Sequence, residues 1–334
     1  MRAFIFKAML FGLVNLALGV TLLLPYHGMP NAYMAASRDK YDRLAAAPSP
    51  RLVFVGGSNL AFGLDCETIA EALPGYHPVN MALHADIPVP VMLGQIEPHL
   101  RDGDILILSL EYRTLCQPPD GRTLWQYLEH NPAAARELSW AETRLLLDSA
   151  RPHLSRALKF VGRTIADGEP PSAHDPYSRR SFNAFGDVVA HRSLPPRKAL
   201  RVAEPVAPAF SHFTAERVEL LNDTTARLGA GGIRVVLIHP PVAQISLADG
   251  GQAVRRLDQR LRARLTAPVL NDPSEMFLAD DLFYDTNYHL NGRGVPVRTR
   301  HVIERLSAFL GAPEPTQNSL AAHEAGFVGQ PVHR

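Results

Sequence analysis

Five short apolar runs alternate with helical patterns along this chain, and that alternation constrains the fold more than any other feature. The runs are 52–55, 77–81, 105–110, 234–238 and 268–270. Between and after them, apolar residues recur at helical spacing over 65–73, 89–100, 215–228, 252–265 and 295–310. Gly231-Gly232 supplies a stop for the third of these patterns. Strands separated by helices build βαβ units, whose crossovers make neighbouring strands parallel. An α/β fold with a mostly parallel sheet is therefore expected.

The first run reads Arg51-Leu52-Val53-Phe54-Val55-Gly56-Gly57-Ser58-Asn59. A strand that stops at small residues exposes the next side chain at the carboxyl end of the sheet, where open α/β sheets place their chemistry. Serine also suits turns and helix caps, so Ser58 needs partners to count as a nucleophile. A distant segment, Phe283-Tyr284-Asp285-Thr286-Asn287-Tyr288-His289-Leu290-Asn291, supplies an acid and an imidazole. A serine nucleophile requires those two groups. Asp280 and Asp281 are competing acids nearby. Asn80 lies at the end of the second run and His84 just beyond it, and Glu111 and Tyr112 follow the third. Asn183 lies in a turn-rich stretch within reach of the same edge.

These pieces resemble the SGNH (GDSL-like) hydrolase superfamily. Its first block is a strand followed by Gly-Asp-Ser or a variant, here Gly56-Gly57-Ser58-Asn59; its last block places an Asp shortly before a His, here Asp285 and His289. The fit is nearest to the membrane-anchored bacterial branch that includes polysaccharide O-acetylation proteins and the lipoteichoic acid D-alanylation protein. The resemblance implies a flavodoxin-like three-layer sandwich over residues 51–311, with Ser58, Asp285 and His289 catalytic. Gly57, Asn80, Ala82, Glu111 and Asn183 are then expected to bind the oxyanion or the substrate. Three departures stand out. Asp285 precedes His289 by four residues where the family usually has three. Ala82 stands near the family's second-block Gly, an oxyanion amide donor. The third block, Leu108-Ser109-Leu110-Glu111-Tyr112, lacks the family's Asn donor. The resemblance implies no cofactor and no metal. Its substrate is an acyl ester of a polysaccharide, and a multi-pass membrane acyltransferase is an implied partner.

Ahead of this domain, Arg2 and Lys7 precede seventeen uncharged residues, 8–24. That run is at the short end of a bilayer span, and the preceding charges hold the N-terminus in the cytoplasm. Residues 1–27 are read as a single transmembrane anchor, with a cleaved signal peptide as the alternative. Residues 28–50 are read as a connector and 312–334 as a flexible tail. The catalytic domain would then face the periplasm or cell exterior. Between 114 and 210 the alternation lapses into a proline-rich, basic stretch with helical patches at 141–147 and 154–165. It is too long for a simple loop and reads as an insertion over the sheet's carboxyl edge. The net charge of +1 provides no electrostatic case for nucleic acid. Cys66 and Cys116, the only cysteines, are read as buried thiols, with a disulfide as the alternative in an exported domain. A rival to the enzyme is a catalytically inactive scaffold or glycan-binding module.

Overall fold

The computed structural model describes residues 29–116, 119–169, 171–195, 215–247 and 251–311, with Phe4, Phe6, Lys7, Met9, Phe11, Gly12 and Val14 near the start. The expected tail and most of the expected anchor lie outside the described residues. Among the described residues, no helix is long and apolar enough to cross a membrane.

The central sheet contains β1 (Arg51–Gly56), β2 (His77–Asn80), β3 (Ile105–Ser109) and β4 (Arg234–Leu237) in the order β2-β1-β3-β4. Every neighbouring pair is parallel, and the order is compatible with a flavodoxin-like arrangement. The expected strand at 268–270 reduces to one parallel bridge, Val269 to Leu237. Pro268 has no N–H to extend the ladder backwards, and beyond it the Asn271 side chain accepts the His239 N–H at 2.7 Å. A separate small parallel sheet pairs β5 (Val242–Ala243) with β6 (Phe277–Leu278).

The helices in chain order are α1 (Ala36–Ala46), α2 (Ser58–Ala61), α3 (Cys66–Ala72), α4 (Val89–Ile96), α5 (Tyr112–Cys116), α6 (Gly121–His130), α7 (Trp140–Asp148), α8 (Ala150–Asp167), α9 (Ala215–Ala230), α10 (Gln252–Arg264) and α11 (Gly294–Leu310). Side chains alternate across a strand. Val53 and Val55 of β1 therefore belong to the core on one face, together with Leu44, Val91, Leu221 and Leu257. Leu52 and Phe54 belong to the core on the other, together with Ile69, Val302, Ile303 and Leu306. Helices cover both faces. Asp65 begins α3 as its cap, accepting the Thr68 N–H. The expected helix over 89–100 stops at Ile96 and tightens into a 3-10 turn, Glu97–His99, because Pro98 cannot continue the α-helical hydrogen bonds.

Residues 29–50, most of the expected connector, contribute to the core. Ala36, Lys40 and Leu44 share one face of α1 and are buried. Lys40 Nζ donates to Asn80 O at 2.7 Å and Gly186 O at 2.5 Å. Burial pushes the Lys40 ammonium down to about 7. Arg51, at the start of β1, is fully buried against Asp104. Cys66 and Cys116 are free and buried in the packing of opposite faces, so no disulfide joins them.

In the insertion, α6, α7 and α8 form a helical layer. The stretch 171–195 then returns across the carboxyl edge of the sheet. Helix α6, which the proline-rich composition concealed, buries Leu124 and Tyr127 at helical spacing.

Candidate functional site

β1 ends where its neighbours leave no room for side chains. A Cβ on Gly56 would lie 2.2 Å from Ser109 O on β3, and one on Gly57 would lie 2.7 Å from Glu111 Oε1 and 3.0 Å from Ala85 Cα. The chain then turns directly into α2, whose first residue is Ser58. The chain from β1 goes to β2 on one side and then crosses to β3 on the other. Ser58 and Glu111 sit at the carboxyl ends of β1 and β3, at this topological switch point.

Ser58 Oγ lies 2.8 Å from His289 Nε2, and His289 Nδ1 lies 2.9 Å from Asp285 Oδ1. With the carboxylate accepting the Nδ1 proton, Nε2 is the acceptor for the serine hydroxyl. Phe62 stacks on the imidazole at 4.2 Å between ring centroids, with the planes only 7° apart. The four-residue Asp-to-His spacing closes locally. Thr286 Oγ1 accepts the N–H groups of Tyr288 and His289 at 3.3 and 3.1 Å, and Tyr284 N–H donates to His289 O at 2.8 Å. The competing acids are engaged elsewhere. Asp281 pairs with Arg293 at 3.0 Å, and Asp280 Oδ1 accepts the Ile245 N–H.

Glu111 accepts the Asn59 N–H at 3.0 Å through Oε1, which is also 3.3 Å from Ser58 Oγ. The serine hydroxyl therefore faces two acceptors. Beneath it, the fully buried Arg298 donates to Asn59 O at 2.5 Å, Asn59 Oδ1 at 2.8 Å and Ser109 Oγ at 3.0 Å. Burial lowers Arg298 to about 9, and the Glu111 carboxylate opposes that shift. A carboxylate and a guanidinium thus bracket Asn59, the residue after Ser58.

Other expected site residues sit below or beside the triad. The Ala82 amide, expected as an oxyanion donor, is fully buried and donates to Asn80 Oδ1 at 3.1 Å. Asn80 Nδ2 donates to Leu60 O at 3.1 Å and Asp187 Oδ1 at 2.8 Å, so Asn80 braces the floor of the site. Asn183 shapes its own turn, its Oδ1 accepting the Phe185 and Asp187 N–H groups at 3.0 and 2.9 Å. It meets Asp187 and not Ser58, because a short amide side chain in a turn finds its nearest acceptors and donors in its own backbone. His84 accepts the Asp86 N–H at Nδ1.

Sequence reasoning missed Tyr177 and Phe62. Tyr177 comes from the insertion, and its hydroxyl donates to Asp285 Oδ2 at 2.5 Å. Phe62, four residues after Ser58, was legible only as an apolar residue. A cleft of about 430 Å³ opens over the triad, bounded by Ser58, His84, Gln126, Arg156, Tyr177 and His289. Among the described residues, no cluster of His, Cys, Asp or Glu is arranged to hold a metal ion.

The buried histidines set an acid limit on stability. Burial lowers His191 to about 4, helped by Arg192, and burial lowers His130 to about 4, helped by Arg38, Arg156 and Arg179. A histidine with a depressed folded-state value stabilises the fold above the unfolded value of about 6.5, and that stability is lost as pH falls towards 4. The urea midpoint is expected to drop steeply between pH 6.5 and 4. His191→Gln, whose amide can still donate to Leu290 O, is expected to flatten part of that slope. A midpoint constant over this window would contradict the burial of these imidazoles as neutral groups.

Comparison of the chain with protein-family models and with curated proteins finds no match.

Proposed function

We propose that this protein is a membrane-anchored, extracytoplasmic serine esterase or O-acyltransferase of SGNH type. In this reading it acts on an acyl ester, an acetyl ester foremost, of a cell-surface or secreted polysaccharide. The observation that carries the chemistry is the unbroken line from Ser58 Oγ to His289 at 2.8 Å and from His289 to Asp285 at 2.9 Å. The polymer and the anchor are supported by the sequence resemblance and by the apolar run at 8–24.

In this mechanism Ser58 Oγ attacks the ester carbonyl carbon as its proton passes to His289 Nε2. Asp285 holds the imidazole's tautomer and stabilises the imidazolium. In this reading the Ser58 amide donates to the oxyanion. His289 then returns the proton to the departing alkoxide, leaving an acyl-serine. Water or a sugar hydroxyl, deprotonated by the same imidazole, attacks that acyl group and restores Ser58. Water gives an esterase and a sugar hydroxyl gives a transferase.

The inactive scaffold or glycan-binding module is favoured by two observations. The carboxylate of Glu111 stands beside Ser58, where the family's third block would place an amide donor, and the Ala82 amide is already bonded. A fluorophosphonate probe separates the two readings. Full-length protein in detergent is expected to be labelled at Ser58 and to cleave p-nitrophenyl acetate. A folded protein that neither labels nor cleaves would overturn the enzyme reading.

A further inference from the structure

We propose that Tyr177 is a positioning residue for the triad and that the segment just after the apolar N-terminus holds it in place. This rests on reading Ser58, His289 and Asp285 as a catalytic triad. The Tyr177 hydroxyl donates to Asp285 Oδ2 at 2.5 Å and lies 3.3 Å from His289 Nδ1. Asp285 Oδ1 faces His289 Nδ1 at 2.9 Å. The carboxylate is therefore gripped at both oxygens, by the imidazole at one and by the phenol at the other. The terminal torsion of an aspartate is otherwise broad, so the phenol fixes the plane in which the carboxylate meets the imidazole.

Tyr177 belongs to the insertion, and residues 31–33 clamp that part of the insertion. Ala32 forms an antiparallel bridge with Ser178. Arg179 N–H donates to Asn31 O at 3.0 Å, and Asn31 Nδ2 donates to Ala173 O at 3.0 Å. The rings of Tyr33 and Phe62 pack against Tyr177 at 6.0 and 5.6 Å. Tyr33 is pinned in turn by its hydroxyl, which donates to Leu83 O at 2.9 Å. The apolar run ends at Leu24, and Met29 already lines the cleft with Ser58 and His289. Only four residues, 25–28, separate the two in the sequence. The seat of Tyr177 is thus close in sequence to the segment expected to enter the membrane.

The test uses full-length protein in detergent and the rate of fluorophosphonate labelling at Ser58. Tyr177→Phe keeps the ring and removes the donor. A hydrogen bond to a charged group predicts a labelling rate about 10–100-fold lower. The acid limb of the labelling profile should also move to higher pH, because a carboxylate relieved of the phenol attracts the imidazolium proton more strongly. Partial unfolding alone would not produce that shift. Asn31→Ala should slow labelling in the native background and add nothing once Tyr177 is Phe, since both act through one contact. Wild-type protein that fails to label would overturn the triad reading beneath the proposal. Normal wild-type labelling with an unchanged rate and pH profile in Tyr177→Phe would overturn the positioning role alone. Additive effects of Asn31→Ala and Tyr177→Phe would overturn the clamp.

Discussion

Ser58→Ala is expected to lower ester cleavage by about three orders of magnitude or more and to leave the thermal midpoint nearly unchanged. The serine is only partly buried, at a strand end, and its hydroxyl bonds the imidazole and a carboxylate rather than the core. His289→Ala should cost as much activity. The double variant should be little worse, because nucleophile and base act as one unit. Stability should separate the two single variants, since removing the imidazole strips a stacked partner from Phe62 at 4.2 Å. Asp285→Asn should still cost a large factor, as the amide can no longer accept the Nδ1 proton and favours the wrong tautomer. The measurements are p-nitrophenyl acetate turnover and the thermal midpoint of each protein. A folded, fully active Ser58→Ala variant would end the esterase and transferase reading.

The largest expected effect on stability lies away from the site. Arg51→Met should destabilise the fold by about 3–5 kcal/mol, because it leaves the Asp104 carboxylate buried without its countercharge. Both side chains are fully buried. Arg51 Nε reaches both Asp104 oxygens at 3.2 and 3.0 Å, and its guanidinium also donates to the carbonyls of Leu44 and His99. One side chain therefore ties the end of α1 and the turn before β3 to the first strand. Hydrogen bonds from Arg51 hold the Asp104 carboxyl below its usual range against the opposing effect of burial. Urea unfolding of the variant at neutral pH measures the loss. An unchanged midpoint would mean that the fold tolerates an unpaired carboxylate there.

Much of the fold was legible because its causes are local. The alternation of side chains in β1 and the 3.6-residue spacing in α9, α10 and α11 are written within a few residues of each position. The α1 segment was harder to read, since a run carrying Arg38, Asp39, Lys40, Asp42 and Arg43 looks solvated. Only the packed structure reveals that Lys40 has two backbone carbonyls as partners, Asn80 O and Gly186 O. Asn80, Ala82 and Asn183 read in the sequence as oxyanion or substrate contacts, and in the structure their polar groups are engaged within the protein. The Ala82 N–H is taken by the Asn80 side chain, and the two amides by nearby backbone and by Asp187, which the sequence places 107 residues beyond Asn80.

By itself the sequence determined the parallel α/β frame, the glycine-lined turn that presents Ser58, and the segment carrying Asp285 and His289. Strand periodicity, backbone room at Gly56 and Gly57, and a polar turn before the last helix are short-range properties. The tertiary structure decided which acid meets His289, what stacks on the imidazole, and that Tyr177 closes the far side of the carboxylate. Asp280, Asp281 and Asp285 are equivalent in composition. They differ only in what the folded chain sets opposite each: Ile245, Arg293, or His289 together with a phenol from 108 residues away. Partner choice at such separations follows from how the layers close over the sheet edge, because a buried polar group must take whichever partner that packing brings within hydrogen-bond reach.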